Sequence, residues 1–102
     1  MPSNKLSLQD TIRISDDVVF RQLEGEAVIL NLETGVYFGL NEAGTRIWSL
    51  LQEDGSLERV VDRMQNEYAV SAEALQEDIL RLVEQMLEKG LVRPAPGVAL
   101  QP

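Results

Sequence analysis

The chain has 102 residues, 44% hydrophobic and 25% charged, which suits one globular domain built on a single core. Seventeen acidic residues against nine basic ones give a formal charge of −8, and the cations are spread from Lys5 to Arg93, so no basic patch for nucleic-acid phosphates stands out. With no Cys and no His, the chain has no disulfide, thiolate nucleophile, Cys-ligated zinc or Ser-His-Asp triad.

In chain order, residues 1–10 read as a flexible N-terminal arm. Thr11 to Ser15 is a short strand and Asp16-Asp17 a turn. Val18 to Leu23 is a strand with apolar residues on both faces, ended by Glu24-Gly25-Glu26. Ala27 to Leu32 is the strongest strand signal, being β-branched and almost wholly apolar. Glu33-Thr34-Gly35 is a hairpin turn in which Gly35 can take positive φ, and Val36 to Leu40 is the returning strand. Asn41 is placed to cap a helix from Glu42 to about Gln52, where Ala43, Ile47, Trp48 and Leu51 recur at helical spacing. Asp54-Gly55 breaks that helix and Ser56 caps a second, with the stripe Leu57, Val60, Val61, Met64 and Tyr68. A third starts after Ser71 and carries Leu75, Ile79, Leu82, Val83, Met86 and Leu87. Lys89 suits its C-terminal dipole and Gly90 its C′ position. Leu91-Val92-Arg93 adds a short extended piece, and 94–102, with Pro94, Pro96, Gly97 and Pro102, reads as a flexible tail.

Strands followed by helices predict an α+β domain at 11–93, with three helices on one face of a small antiparallel sheet. Three helices and a hairpin are also the parts of a winged helix-turn-helix. The strand Val36 to Leu40 runs so abruptly into a helix that it is expected at a sheet edge. An edge strand with free N–H and C=O groups can capture an extended peptide.

Carboxylate-only catalysis needs acids buried or paired in a cleft, whereas these fall on polar helix faces. The expectation is no enzyme, no cofactor and no metal site. No apolar run is long enough to cross a bilayer, and Met1 to Asp10 lacks the apolar region of a signal peptide. A cytoplasmic location is the expectation.

Each candidate contact has an ordinary alternative. Tyr37 and Phe38 point to opposite faces, one into the core and one beside a groove, or both serve packing. Gly39 either admits a close backbone or eases the turn into the helix. Trp48 reads as core. On the third helix, Leu75-Ile79-Leu82-Met86 and Val83-Leu87 form two adjacent lines, enough for a core and a groove; Met86 suits an adaptable groove as well as a core. Asp78 is the polar residue favoured for peptide contact. Glu77 and Arg81 fit an i,i+4 pair, and Glu67, Glu73, Glu84 and Glu88 read as solvated faces.

The run LNLETGVYFGLNEAGTRIWSLL, the Asp-Gly break, the Leu-x-x-Val-Val helix and EDILRLVEQMLEKGLV together resemble the PqqD-like proteins. These are recognition elements that serve the modification of ribosomally made peptides (RiPP recognition elements). The resemblance spans Val18 to Val92. Standalone members occur beside radical SAM enzymes and, in lasso-peptide systems, beside a separate leader peptidase. The resemblance implies a winged-helix-like fold with a three-stranded sheet. It also implies that a precursor's leader peptide adds as a fourth strand to Val36–Leu40, with side chains in a groove against the third helix.

The site residues implied are Val36, Tyr37, Phe38, Gly39, Leu75, Asp78, Ile79, Leu82 and Met86. The function implied is a noncatalytic adaptor that presents the leader-bound precursor to a modifying enzyme, such as a radical SAM enzyme, or to a leader peptidase. The rival from the same architecture is a winged helix-turn-helix DNA-binding regulator, which needs a basic recognition helix that this chain lacks. A third reading is a subunit whose edge strand pairs with itself. Monomer and weak or swapped dimer both fit; nucleic acid and membrane are not expected partners.

Overall fold

Side chains that the sequence places before each apolar stripe start the three helices. In a computed structural model, which describes residues 6–24 and 26–95, Asn41 accepts from the Gly44 N–H at 2.8 Å, Ser56 from Arg59 at 3.4 Å and Ser71 from Ala74 at 3.3 Å. Each occupies a donor that the first helical turn leaves free. The helices are α1 (Glu42–Glu53), α2 (Leu57–Glu67) and α3 (Ala72–Glu88). They follow β1 (Thr11–Ile14), β2 (Val18–Leu23), β3 (Glu26–Asn31) and β4 (Tyr37–Leu40), and a last strand, β5 (Val92–Ala95), closes the order. This is an α+β fold with a three-stranded antiparallel sheet and three helices, as expected.

The sheet runs β2-β3-β4, with Ile29 of β3 opposite Phe20 on one side and Phe38 on the other. Gly35 takes φ +78° in the β3–β4 turn, the conformation foreseen for it. At the β2–β3 turn Glu24 takes φ +38°, while Gly25 lies outside the described residues. Alternate residues of β3, Ala27, Ile29 and Asn31, are buried toward the helices. Trp48 stacks on Phe20 with ring centroids 6.4 Å apart and is 1% exposed, so it is a core residue. Its Nε1 is buried and meets no acceptor among the described residues.

A second sheet was not foreseen as such. β1 and β5 pair antiparallel, Ile12 opposite Pro94 and Ile14 opposite Val92. Pro94 and Ala95 therefore belong to a strand, not to a tail starting at 94; proline fits because each strand of a two-stranded sheet is an edge. Leu6 and Leu8, within the expected arm, are partly buried against the core. The remainders of both expected terminal segments, 1–5 and 96–102, lie outside the described residues. Gly55 does more than end α1: the Ile12 N–H donates to its carbonyl at 2.8 Å, and a Cβ on Gly55 would lie 1.8 Å from the Ile12 carbonyl oxygen. Only a glycine lets β1 cross so closely there.

Candidate functional site: an open sheet edge

Among the described residues β4 has one strand neighbour, β3. The Asn31 N–H donates to the Val36 carbonyl at 2.8 Å, which marks Asn31 and Val36 as a facing, hydrogen-bonded pair. Such pairs alternate along an antiparallel ladder. Phe38 with Ile29 and Leu40 with Ala27 are therefore also bonded pairs. Tyr37 and Gly39 fall between them, opposite Leu30 and Val28, and aim their N–H and C=O groups away from β3. Those four backbone groups are the open edge.

Side chains divide the other way. Phe38 is half-buried against the core on the helix side. Tyr37, 71% exposed, and Gly39 lie on the opposite face, in rows with Val19, Leu30 and Val28. Phe38 thus packs inward and Tyr37 flanks the edge. No atom lies within 4 Å of a Cβ built on Gly39, and its φ is not positive, so the fold itself has no need of glycine there. Val36, half-buried, enters β4 from the turn. A shallow cleft of about 420 Å³ lies at the far end of the edge, lined by Val28, Gly39 and Leu40 and rimmed by Glu26 and Glu42.

On α3 the expected two lines are divided differently. Leu75, Ile79, Val83 and Met86 form the buried line, with Ile79 and Met86 at 0% exposure. Ile79 and Met86 are buried core residues; the 3.6-residue period turns Val83, not Leu82, inward with them. Leu82 and Leu87, with Leu80, are half-buried at the border of the core. Asp78 is exposed and lies 3.5 Å from Arg81, replacing the expected Glu77–Arg81 pair. Such an exposed pair adds little stability.

Glu67 is not merely a solvated acid. It takes two hydrogen bonds from the Arg46 guanidinium, Nε at 2.8 Å and Nη2 at 2.6 Å, joining α1 to the end of α2. That bonding holds the Glu67 carboxyl below the ordinary carboxylate range and pushes Arg46 up. Arg13, Arg59 and Arg63 also lie beside carboxylates, and each helix holds more acidic than basic residues. Sequence reasoning missed Asn31, a buried polar residue at the end of β3; an Asn closing an apolar strand before a Glu-Thr-Gly turn was the available signal.

An α+β domain whose small sheet ends in an unpaired strand can take up an extended peptide at that edge. A family model described as coenzyme PQQ synthesis protein D (PqqD) matches residues 26–92, and the chain belongs to that family. Among solved structures it is similar to TbiB1 in complex with the TbiA(beta) leader peptide, at 38% identity and TM-score 0.77, covering 83% of this chain and 99% of that one. It is also similar to a lasso peptide synthetase B1 complexed with the leader peptide, at 26% identity and TM-score 0.74, covering 82% and 99%. No curated protein matches the chain.

Proposed function

We propose that this protein is a noncatalytic adaptor that binds the leader segment of a ribosomally synthesised precursor by β-strand addition to β4. The observation that carries the reading is the open edge, where the N–H and C=O groups of Tyr37 and Gly39 face away from the sheet. The two solved relatives, both bound to leader peptides, support it. In this reading the leader strand runs beside Val36–Leu40. Its outer side chains meet Tyr37 and Gly39, and its inner ones meet Phe38, Leu82 and the rim of Leu75, with Asp78, exposed beside Arg81, placed for a polar contact. Ile79 and Met86 form the floor beneath.

Held in this way, a precursor is presented to a modifying enzyme or leader peptidase at raised effective concentration. The lasso route, with a separate leader peptidase, is favoured over a radical SAM partner because one of the similar structures is a lasso peptide synthetase B1 bound to its leader peptide. The protein acts in the cytoplasm, as a monomer or weak dimer, and carries no catalytic residue of its own. Among the described residues no helix is long and apolar enough to cross a membrane.

Titration of a fluorescein-labelled TbiA(beta) leader peptide, read by anisotropy, tests the reading. Saturable binding is expected. Absence of binding to that peptide and to the precursor encoded nearest this gene would overturn it. Duplex DNA at physiological salt is the counter-test: the acidic helices predict no shift in a gel, and sequence-specific retention would favour the regulator instead.

A further inference from the structure

Among the described residues, two polar side chains are buried, Ser15 at 5% exposure and Asn31 at 3%. Both donate to one atom, the carbonyl oxygen of Gly90: Ser15 Oγ at 2.8 Å and Asn31 Nδ2 at 3.0 Å. Gly90 turns the chain after α3 with φ +71°. Its carbonyl lies just past the helix end, where acceptors have no helical donor. The Ser15 N–H adds a bond to the Leu91 carbonyl at 3.1 Å. The link between β1 and β2 and the end of β3 are thus tied to the same point at the end of α3.

Asn31 has further bonds that Ser15 lacks. Its Oδ1 accepts from the Glu33 N–H at 2.9 Å and the Thr34 N–H at 3.3 Å. Its carbonyl accepts from Gly35 and its N–H donates to Val36, both at 2.8 Å. One residue therefore shapes the β3–β4 turn, opens the ladder that aligns β4, and grips the end of α3. β4 itself touches α3 less than α2 and β5 do. In the peptide-binding reading, an added strand lays its inner side chains between β4 and α3.

We propose that Asn31 is a positioning residue for that slot: through Gly90 it holds the start of β4 at a set distance and register from the end of α3. An extended peptide then meets a gap already formed to accept it. Strand pairing tolerates little error, because hydrogen bonds weaken steeply once distance and angle drift, and a site a fraction of an ångström too loose loses function. The inference rests on the peptide-binding reading above.

The test is Asn31→Asp. The new side chain has the same shape and keeps the acceptor for the turn, but it sets a carboxylate oxygen against the Gly90 carbonyl where a donor stood. Protonation returns a donor, so acid should restore the tie. Affinity for the labelled TbiA(beta) leader peptide is measured from pH 8 to pH 5, as the ratio to wild type at each pH, with circular dichroism confirming the folded state. The ratio is expected to show at least about a tenfold loss at high pH that shrinks toward low pH. Asn31→Ser, short enough to serve the turn but not to reach Gly90, should lose a similar factor with no recovery in acid. Val60→Ala, a core change away from the slot, should bind as wild type once folded. A folded Asn31→Asp or Asn31→Ser protein with wild-type affinity, or a Val60→Ala loss as large as theirs, would overturn the positioning role. Failure of the wild type to bind any leader would instead overturn the reading beneath it.

Discussion

The N–H of Phe38 points at Ile29 across the sheet, and the N–H of Tyr37, one residue earlier, points away from it. Proline removes a donor and is tolerated where that donor is free. Tyr37→Pro should leave the melting temperature close to wild type and weaken leader binding about tenfold or more. Phe38→Pro should destabilise the fold, losing a ladder bond worth about 1 kcal/mol together with a half-buried ring. Thermal melts and peptide titration on the same samples read both effects. Two unfolded variants would mean that β4 has no free edge.

Gly39 sits on that edge with open space around its missing side chain. Glycine inside a strand costs roughly 0.5–1 kcal/mol relative to alanine, so a β-branched replacement should be neutral or stabilising in the free protein. Gly39→Val should nevertheless bind the leader less well, since the added side chain stands on the outer face where the leader's outer side chains meet Gly39. Unchanged affinity in a folded Gly39→Val protein would remove Gly39 from the contact surface.

Trp48 fills the centre of the core against Phe20. Trp48→Ala should cost about 3–5 kcal/mol, the usual range for truncating a buried aromatic. Trp48→Phe should cost less, because it keeps an aromatic partner for Phe20 and removes an indole N–H that has no acceptor among the described residues. Denaturant unfolding measures both. A stable Trp48→Ala protein that no longer binds peptide would place Trp48 in the binding site.

The Arg46–Glu67 bridge gives stability a pH dependence with a definite sign. Its hydrogen bonds depress the Glu67 carboxyl below the ordinary range. Its contribution is therefore complete above the unfolded value of about 4.3 and is lost as pH falls through the lower folded value. Glu67→Gln should melt below wild type at pH 7, and the difference should close in strong acid, where wild type has lost the charged interaction too. A difference that stayed constant from pH 7 to pH 3 would assign the effect to packing.

Local chemistry made much of this fold readable in advance. Three capping side chains, a turn glycine at Gly35, apolar alternation in β3 and helical stripes in α1 to α3 each act over a few residues, and each element formed where its signal lay. The same signals marked Trp48 as core and β4 as an edge. The fourfold spacing of α3 could not say which leucines face inward, because its apolar arc is wider than one contact; packing chose Val83 and left Leu82 at the border.

Contacts between distant residues were beyond such signals. Nothing near Pro94 says that it pairs with Ile12, and nothing near Glu67 says that Arg46 waits 21 residues earlier. Asn31 and Ser15 reach Gly90 across 59 and 75 residues. Caps, turns and periodicity are properties of a short stretch of backbone and were determined by the sequence alone. The second sheet, the Arg46–Glu67 bridge and the shared Gly90 carbonyl exist only once the chain has closed on itself, because their partners are brought together by the burial of the core between them.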